Sequence, residues 1–437
     1  MRRFIFFVIL SFCSTMLLNA QIWEMPEAGT LEIRKSDEIN NRMLAGQFIM
    51  HDFPANPQDG DYINLPGPDG QLIAVSLKSS PVLEPALQSR FPQIQSFTFH
   101  AEEISGRLAL DPSGIDVVFT TSDKRYALEQ VGDHFYELYR LSVPRQSGTD
   151  PATELGVCLT PMGPDVASVY ENPLLIRRAP IVNQRIYDLA ISVTSTYAAK
   201  HGGSTESVLA EVNKIFNRVN EVFLRELALR FQIIDESTKL FFLNTETDPY
   251  TEGNNTLMLN KLDEVLVKTI GRKNYDLGHL LATNCGSGTA GVSAGIGTIC
   301  EFNKGKALSC DLTNNLEDYV RVLTHELGHQ LGAAHSWSNC PGINNTQRSG
   351  STAYEPGSGS SIMSYIGTCG NQNLRYIPGP FYFHTGSLQE MLEYVDIGPG
   401  STCVSTEEIS NESPEIVSIN IPEKHELVEI PYLLLLS

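Results

Sequence analysis

Residues 325 to 335 read HELGHQLGAAH, which sets three histidines and a glutamate within one short stretch. His325 and His329 are four apart, so on a helix they project from one face and both imidazoles can reach a single metal ion. Catalytic zinc takes three protein ligands and keeps a fourth position open, and His335 can supply the third donor. To bring His335 back the helix must stop abruptly, and Gly332 stands where a left-handed residue ends it without steric cost. Glu326 neighbours the first ligand and faces the open position, where it can take a proton from a water whose pKa zinc lowers to about 7. The chemistry expected is hydrolysis assisted by Zn2+. The competing reading, solvated or core histidines on an ordinary helix, is disfavoured by the added glycine and third histidine.

The elements that must position these residues are legible in outline. The stretch 311–332 carries Leu316, Tyr319, Val320, Leu323, Leu327 and Leu331 at three- and four-residue spacing, as a half-buried helix requires, and Asn or Thr within 313–315 can cap its start. RIYDLAISVTSTYAAK (185–200) alternates as an opening strand. A helix follows with Ser204 or Thr205 as its cap and Val208, Leu209, Val212, Ile215, Phe216 and Val219 as its core stripe. LRFQIID and TKLFFLN read as strands, NKLDEVLVKTIG as a second helix, and FYFHTGSLQEMLEYV (381–395) as a short extended piece and a helix. His384 is surplus to the three ligands and reads as structural or as lining a pocket.

The motif H-E-x-x-H-x-x-G-x-x-H, followed by SGSSIMSYIGTCG (358–370), resembles the metzincin zinc endopeptidases, in which the second string forms a methionine turn. Within them the chain is most similar to reprolysin-like (adamalysin-like) secreted bacterial proteases. That likeness covers about 185–403, on YDLGHLLATNCGSGTAGVSAGIGTIC, TAYEPGSGSSIMSY and YFHTGSLQEM. Ser336 departs from it, since adamalysins usually carry Asp after the third histidine. The resemblance implies an α+β fold: a metzincin-like catalytic domain with mixed sheet, zinc helix and Met-turn, preceded by a β-rich pro-region. It implies Met363 as a hydrophobic floor beneath the ligands, and Tyr365 either as a zinc ligand or oxyanion donor or as a ring packed under the site. It also implies structural Ca2+, with Asp188 and Asp263 as candidate ligands by position.

Composition and chain ends bound the rest. The 31 basic and 51 acidic residues leave a formal charge of −20, which argues against nucleic acid and anionic membranes as partners. MRRFIFFVILSFCSTMLLNA has the pattern of a secretory signal peptide, too short in its apolar run to span a bilayer. The expected organisation is therefore a signal peptide at 1–20, a pro-region at 21–180 with short alternating strands such as GRLALD and IDVVFTTSD, a protease domain at 185–403, and a tail at 404–437 that reads as a truncated β-domain. Arg177 and Arg178 are either a processing site or a solvated pair in a linker.

Of the eight cysteines, Cys13 lies in the signal peptide, and Cys285, Cys300, Cys310, Cys340, Cys369 and Cys403 can form three disulfides, with Cys340–Cys369 the one pair proposed. Cys158 is left over. It reads as a cysteine switch whose thiolate occupies the open metal position, or as a buried or intermolecularly paired thiol. The function expected is a secreted, extracellular, monomeric zinc endopeptidase acting on protein or peptide substrates and made as a latent zymogen. The rivals are a catalytically silent zinc-stabilised binding module and a hydrolase of small amides.

Overall fold

The computed structural model describes residues 23–26, 42–141, 157–162 and 183–408, apart from 52, 55, 102–103, 122–123, 287, 314, 343–346 and 375–380. The expected signal peptide, Arg177, Arg178 and residues beyond 408 lie outside the described residues.

Alternating sequence in the N-terminal part builds one antiparallel sheet of β1 (Trp23–Glu24), β2 (Arg42–Met50), β3 (Tyr62–Pro66), β4 (Leu72–Ser79), β5 (Gln95–His100), β6 (Ser105–Asp111), β7 (Gly114–Thr120), β8 (Arg125–Gly132) and β9 (Phe135–Leu141), in the order β1-β2-β9-β8-β7-β6-β5-β4-β3. The PGPDG string makes the β3–β4 turn, closed by the Gly67 amide on the Gln71 carbonyl at 2.8 Å. A helix, α1 (Pro85–Arg90), links β4 to β5. One face of the sheet closes over Trp23, Phe48, Phe99, Val117, Phe119 and Leu138.

The second sheet is mixed. It contains β10 (Val157–Cys158), β11 (Asn183–Val193), β12 (Leu229–Ile233), β13 (Leu277–Ala282), β14 (Thr289–Ser293) and β15 (Ala307–Cys310), in the order β10-β14-β15-β13-β11-β12, with β16 (Ser405–Glu408) antiparallel on the start of β11. Pairs β11–β12, β11–β13, β13–β15 and β10–β14 are parallel, and β14–β15 is antiparallel. Parallel neighbours need crossovers. These use α2 (Ser195–Lys200), α3 (Thr205–Leu227) and α4 (Asn255–Thr269); α5 (Leu316–Gln330) and α6 (Thr385–Asp396) complete the helices.

Ser204 caps α3 by accepting the Ser207 amide, and Val208, Leu209, Val212, Ile215, Phe216 and Val219 are fully buried. Each contributes about 1.5–3 kcal/mol by leaving water. The opposite side of α3 is polar and equally buried, because it faces the first sheet. Arg218 holds Asp116 through two hydrogen bonds (2.8 and 2.5 Å) and Glu129 at 2.9 Å; Asn217 accepts from Arg107, and Asn213 from Ser96, each at 2.9 Å. Arg125 of β8 pairs with Glu221 of α3 and Glu317 of α5. The two sheets are thus joined through charges removed from water, which hold only while every partner is present.

TKLFFLN is not a strand. Asp235–Leu240 forms a 3-10 helix, because the Ser237 hydroxyl takes the Ile191 amide (3.1 Å) and pulls the segment across β11, leaving Phe241 a single parallel bridge to Val193. Disulfides join Cys285–Cys310, Cys300–Cys403 and Cys340–Cys369, so the one proposed pair is present, and three bridges suit an oxidising compartment. Among the described residues no helix is long and apolar enough to cross a membrane.

Candidate metal centre

α5 starts where Asn315 accepts the Glu317 amide at 3.0 Å and ends at Leu331. Gly332 follows with φ +106°, and a Cβ there would come within 2.9 Å of Tyr394, so conformation and space both demand glycine. The reversal carries His335 back over the helix. Each imidazole then gives its Nδ1 to a backbone carbonyl: His325 to Ile362 (2.7 Å), His329 to Ala333 (2.7 Å) and His335 to Gln347 (2.5 Å).

Those three bonds fix the tautomer, placing the ring proton on Nδ1 and leaving each Nε2 a lone pair. The His335 Nε2 lies 3.2 Å from the Nε2 atoms of both His325 and His329. Burial holds all three rings neutral, His325 being lowered to about 4. Lone pairs that close repel unless a cation sits between them. The spacing suits a tetrahedral ion ligated at about 2.0–2.1 Å, whose donors stand about 3.3 Å apart. The residues present therefore fit zinc.

Cys158 faces the same point from the other side. Its sulfur lies 3.4 Å from His329 Nε2, and the four ligand atoms are all within 4.8 Å of one another; among the described residues this is the one group of three or more side chains suited to a metal. Burial and the Glu326 carboxylate push the thiol well up, so only a cation at the point of convergence would favour its thiolate. β10 delivers the cysteine by pairing in parallel with β14, with the Val157 amide on Gly288 (2.7 Å) and the Leu159 amide on Gly291 (3.2 Å).

Glu326 is buried beside the cluster and accepts from the Thr160 hydroxyl at 3.1 Å; burial raises its pKa to about 8. Met363 is fully buried under α5, where a Cβ on Gly328 would stand only 2.6 Å from its sulfur, and its carbonyl takes the Ser336 amide at 3.0 Å. The Tyr365 hydroxyl donates to the Cys158 carbonyl at 2.6 Å, while its ring lies 4.6 Å from that of His335. A cleft lined by Val322, Ile362, Ile366 and Thr368 opens beside His325 and Glu326.

Other expected residues fall away from the cluster. Asp263 is held by Arg272 (2.9 and 3.0 Å), and Asp188 joins no group of metal-ligating side chains among the described residues. His384 is structural: it caps α6 by accepting the Gly386 amide and stacks on Tyr354.

Sequence reasoning missed Thr160, Gln347, Gly291 and Glu355. Glu355 binds the Ser336 and Ser361 hydroxyls and the amides of Ser360 and Ser361 (2.7 and 2.9 Å), tying the third histidine's neighbour to the Met363 loop. An acid in a serine-rich string was the only signal.

Residues 183–380 match the metallo-peptidase family M12B, reprolysin-like, a span that includes all three histidines and Met363. These residues form a reprolysin-like metallopeptidase domain. The domain makes the chain a zinc metalloendopeptidase. A snake venom metalloproteinase, trimerelysin-2 of Protobothrops flavoviridis, is 28% identical over 156 residues, 35% of this chain and 74% of that protein. Metalloproteinase-II from Bacteroides fragilis aligns with 76% of this chain and 90% of its own at 15% identity, with a TM-score of 0.42.

Proposed function

We propose that this metalloendopeptidase is an exported, latent precursor, in which residues 21–180 act as a pro-region and Cys158 blocks the metal. His325, His329 and His335 would hold the ion and Glu326 would be the general base. The observation that carries this reading is the convergence of three unprotonated Nε2 atoms and one sulfur within 4.8 Å, with a carboxylate alongside.

When bound, zinc supplies Lewis-acid polarisation of the scissile carbonyl and makes water a stronger acid. Glu326 takes one proton from that water as it attacks, and returns it to the departing amine as the C–N bond breaks. Tyr365, whose hydroxyl donates to the Cys158 carbonyl here, would donate to the substrate's oxyanion instead. Once β10 leaves, the free edge of β14 would take an extended peptide as an added strand, and the cleft beside Ile362 would hold one of its side chains. Departure of Cys158 and Thr160 also rehydrates Glu326, drawing its pKa back down and leaving a carboxylate able to accept a proton.

A silent binding module needs neither a buried glutamate nor a displaceable fourth ligand. Digestion of casein by trypsin-treated protein, with and without a chelator, separates the readings. Proteolysis should require metal, and Glu326→Gln should retain zinc while losing about 10²–10⁴-fold in kcat. An active Glu326→Gln enzyme would overturn the assignment. Cys158→Ala should give an intact precursor with measurable turnover.

A further inference from the structure

We propose that Thr160 is a second latch, holding the general base as Cys158 holds the metal. This rests on the reading of the chain as a latent precursor, but on a different contact. Thr160 is fully buried two residues beyond the cysteine. Its hydroxyl accepts the Ser293 amide at 2.7 Å and donates to Glu326 Oε2 at 3.1 Å.

A hydroxyl has one proton, and the Ser293 N–H occupies an acceptor site, so that proton is committed to Glu326. One oxygen of the carboxylate, Oε2, is thus already hydrogen bonded, which fixes the orientation of the group. Ser293 ends β14, the strand that β10 covers, so the Thr160 oxygen also takes up a backbone donor that an incoming peptide strand would use. The segment is pinned from the far side as well. The Gln347 amide nitrogen, turned toward its acceptors, donates to the carbonyls of Thr160 (3.0 Å) and Cys158 (3.2 Å), and the Thr160 amide reaches the Cys158 sulfur at 3.3 Å. Metal, base and strand edge are thus closed by one short segment, with Thr160 engaging the last two.

Valine matches threonine in shape and lacks both hydrogen bonds; serine keeps them. The full-length, uncleaved precursor is compared as parent, Thr160→Val, Thr160→Ser and Cys158→Ala. Two quantities are read: turnover of a quenched peptide before any chain cleavage, and the alkylation rate of Cys158 located by peptide mass. Thr160→Val should raise both by about tenfold, the upper scale of losing one hydrogen bond, while Thr160→Ser stays at the parent level. Should the valine chain not accumulate folded, Thr160→Ala against Thr160→Ser reads the same loss.

If Cys158→Ala activates the precursor while the valine and alanine variants leave turnover and alkylation unchanged, the Thr160 latch is wrong and the cysteine reading stands. If Thr160→Val activates and Cys158→Ala does not, the cysteine reading fails and the latch survives. If none activates, both fall.

Discussion

Gly291 of β14 and Glu326 of α5 interlock so closely that a Cβ on the glycine would lie 2.6 Å from the glutamate's Cγ and from its Oε1. The absent side chain creates the space in which the carboxylate sits. Gly291→Ala should leave zinc content unchanged, since no histidine is touched, and lower kcat/KM of the trypsin-treated enzyme by about 10²-fold through displacement of Glu326, if it is the base proposed above. Metal analysis beside peptide kinetics checks this, and parent-like kinetics would show that the carboxylate has slack.

The charge cluster between the sheets makes a stability prediction. Arg218 neutralises Asp116 and Glu129 where burial alone would push the Asp116 carboxyl up. Arg218→Ala strands Asp116, while Glu129 keeps Arg42 at 2.6 Å, and should cost the protein about 3–5 kcal/mol in urea unfolding. A loss below 1 kcal/mol would mean that water reaches the cluster.

Cys340–Cys369 closes a loop containing Met363 and Tyr365 across a separation of 29 residues. Replacing both cysteines by serine should lower unfolding free energy by about 3–4 kcal/mol, on the loop-entropy estimate. Zinc affinity should fall with it, because the His325 Nδ1 acceptor, Ile362 O, lies in the same loop. Unchanged zinc retention against a chelator series would contradict this link.

Asp276 sets a pH dependence away from the metal. Burial, with the Asp188 carboxylate nearby, raises its pKa to about 6, although it accepts the Asp188 amide at 2.8 Å. The folded state therefore binds this proton more tightly than the unfolded chain, so stability falls as pH rises from about 4 to about 6 and stays reduced above. Asp276→Asn keeps an acceptor for the amide. It should raise stability at pH 7.5 by about 1 kcal/mol after allowing for partial exposure, with the gain vanishing near pH 4. A gain that is constant with pH would rule out this titration.

Apart from the odd cysteine, which pointed to Cys158 by count alone, what the sequence revealed was local. The i, i+4 histidines, the glycine that ends their helix, the Ser204 and Asn315 caps and the buried stripe of α3 follow from spacing within a few turns of chain. The contacts that close the site are not of this kind: Cys158 meets His329 across 171 residues, Thr160 meets Glu326 across 166, and Ser293 meets Thr160 across 133. No periodicity encodes them. TKLFFLN misled for a related reason, because its apolar run resembles a strand until Ser237 finds a distant backbone amide. Alternation in the N-terminal part pointed to strands, yet gave no hint that α3 would present arginine and asparagine to them.

The parallel seating of β10 on β14 has a consequence for what such an enzyme could digest. A site entered along the rim of a sheet admits only polypeptide that can be drawn out into a ribbon, because the ladder must form before any bond is strained. Tightly folded domains would pass untouched, while loops, frayed ends and loosened chains would be its prey.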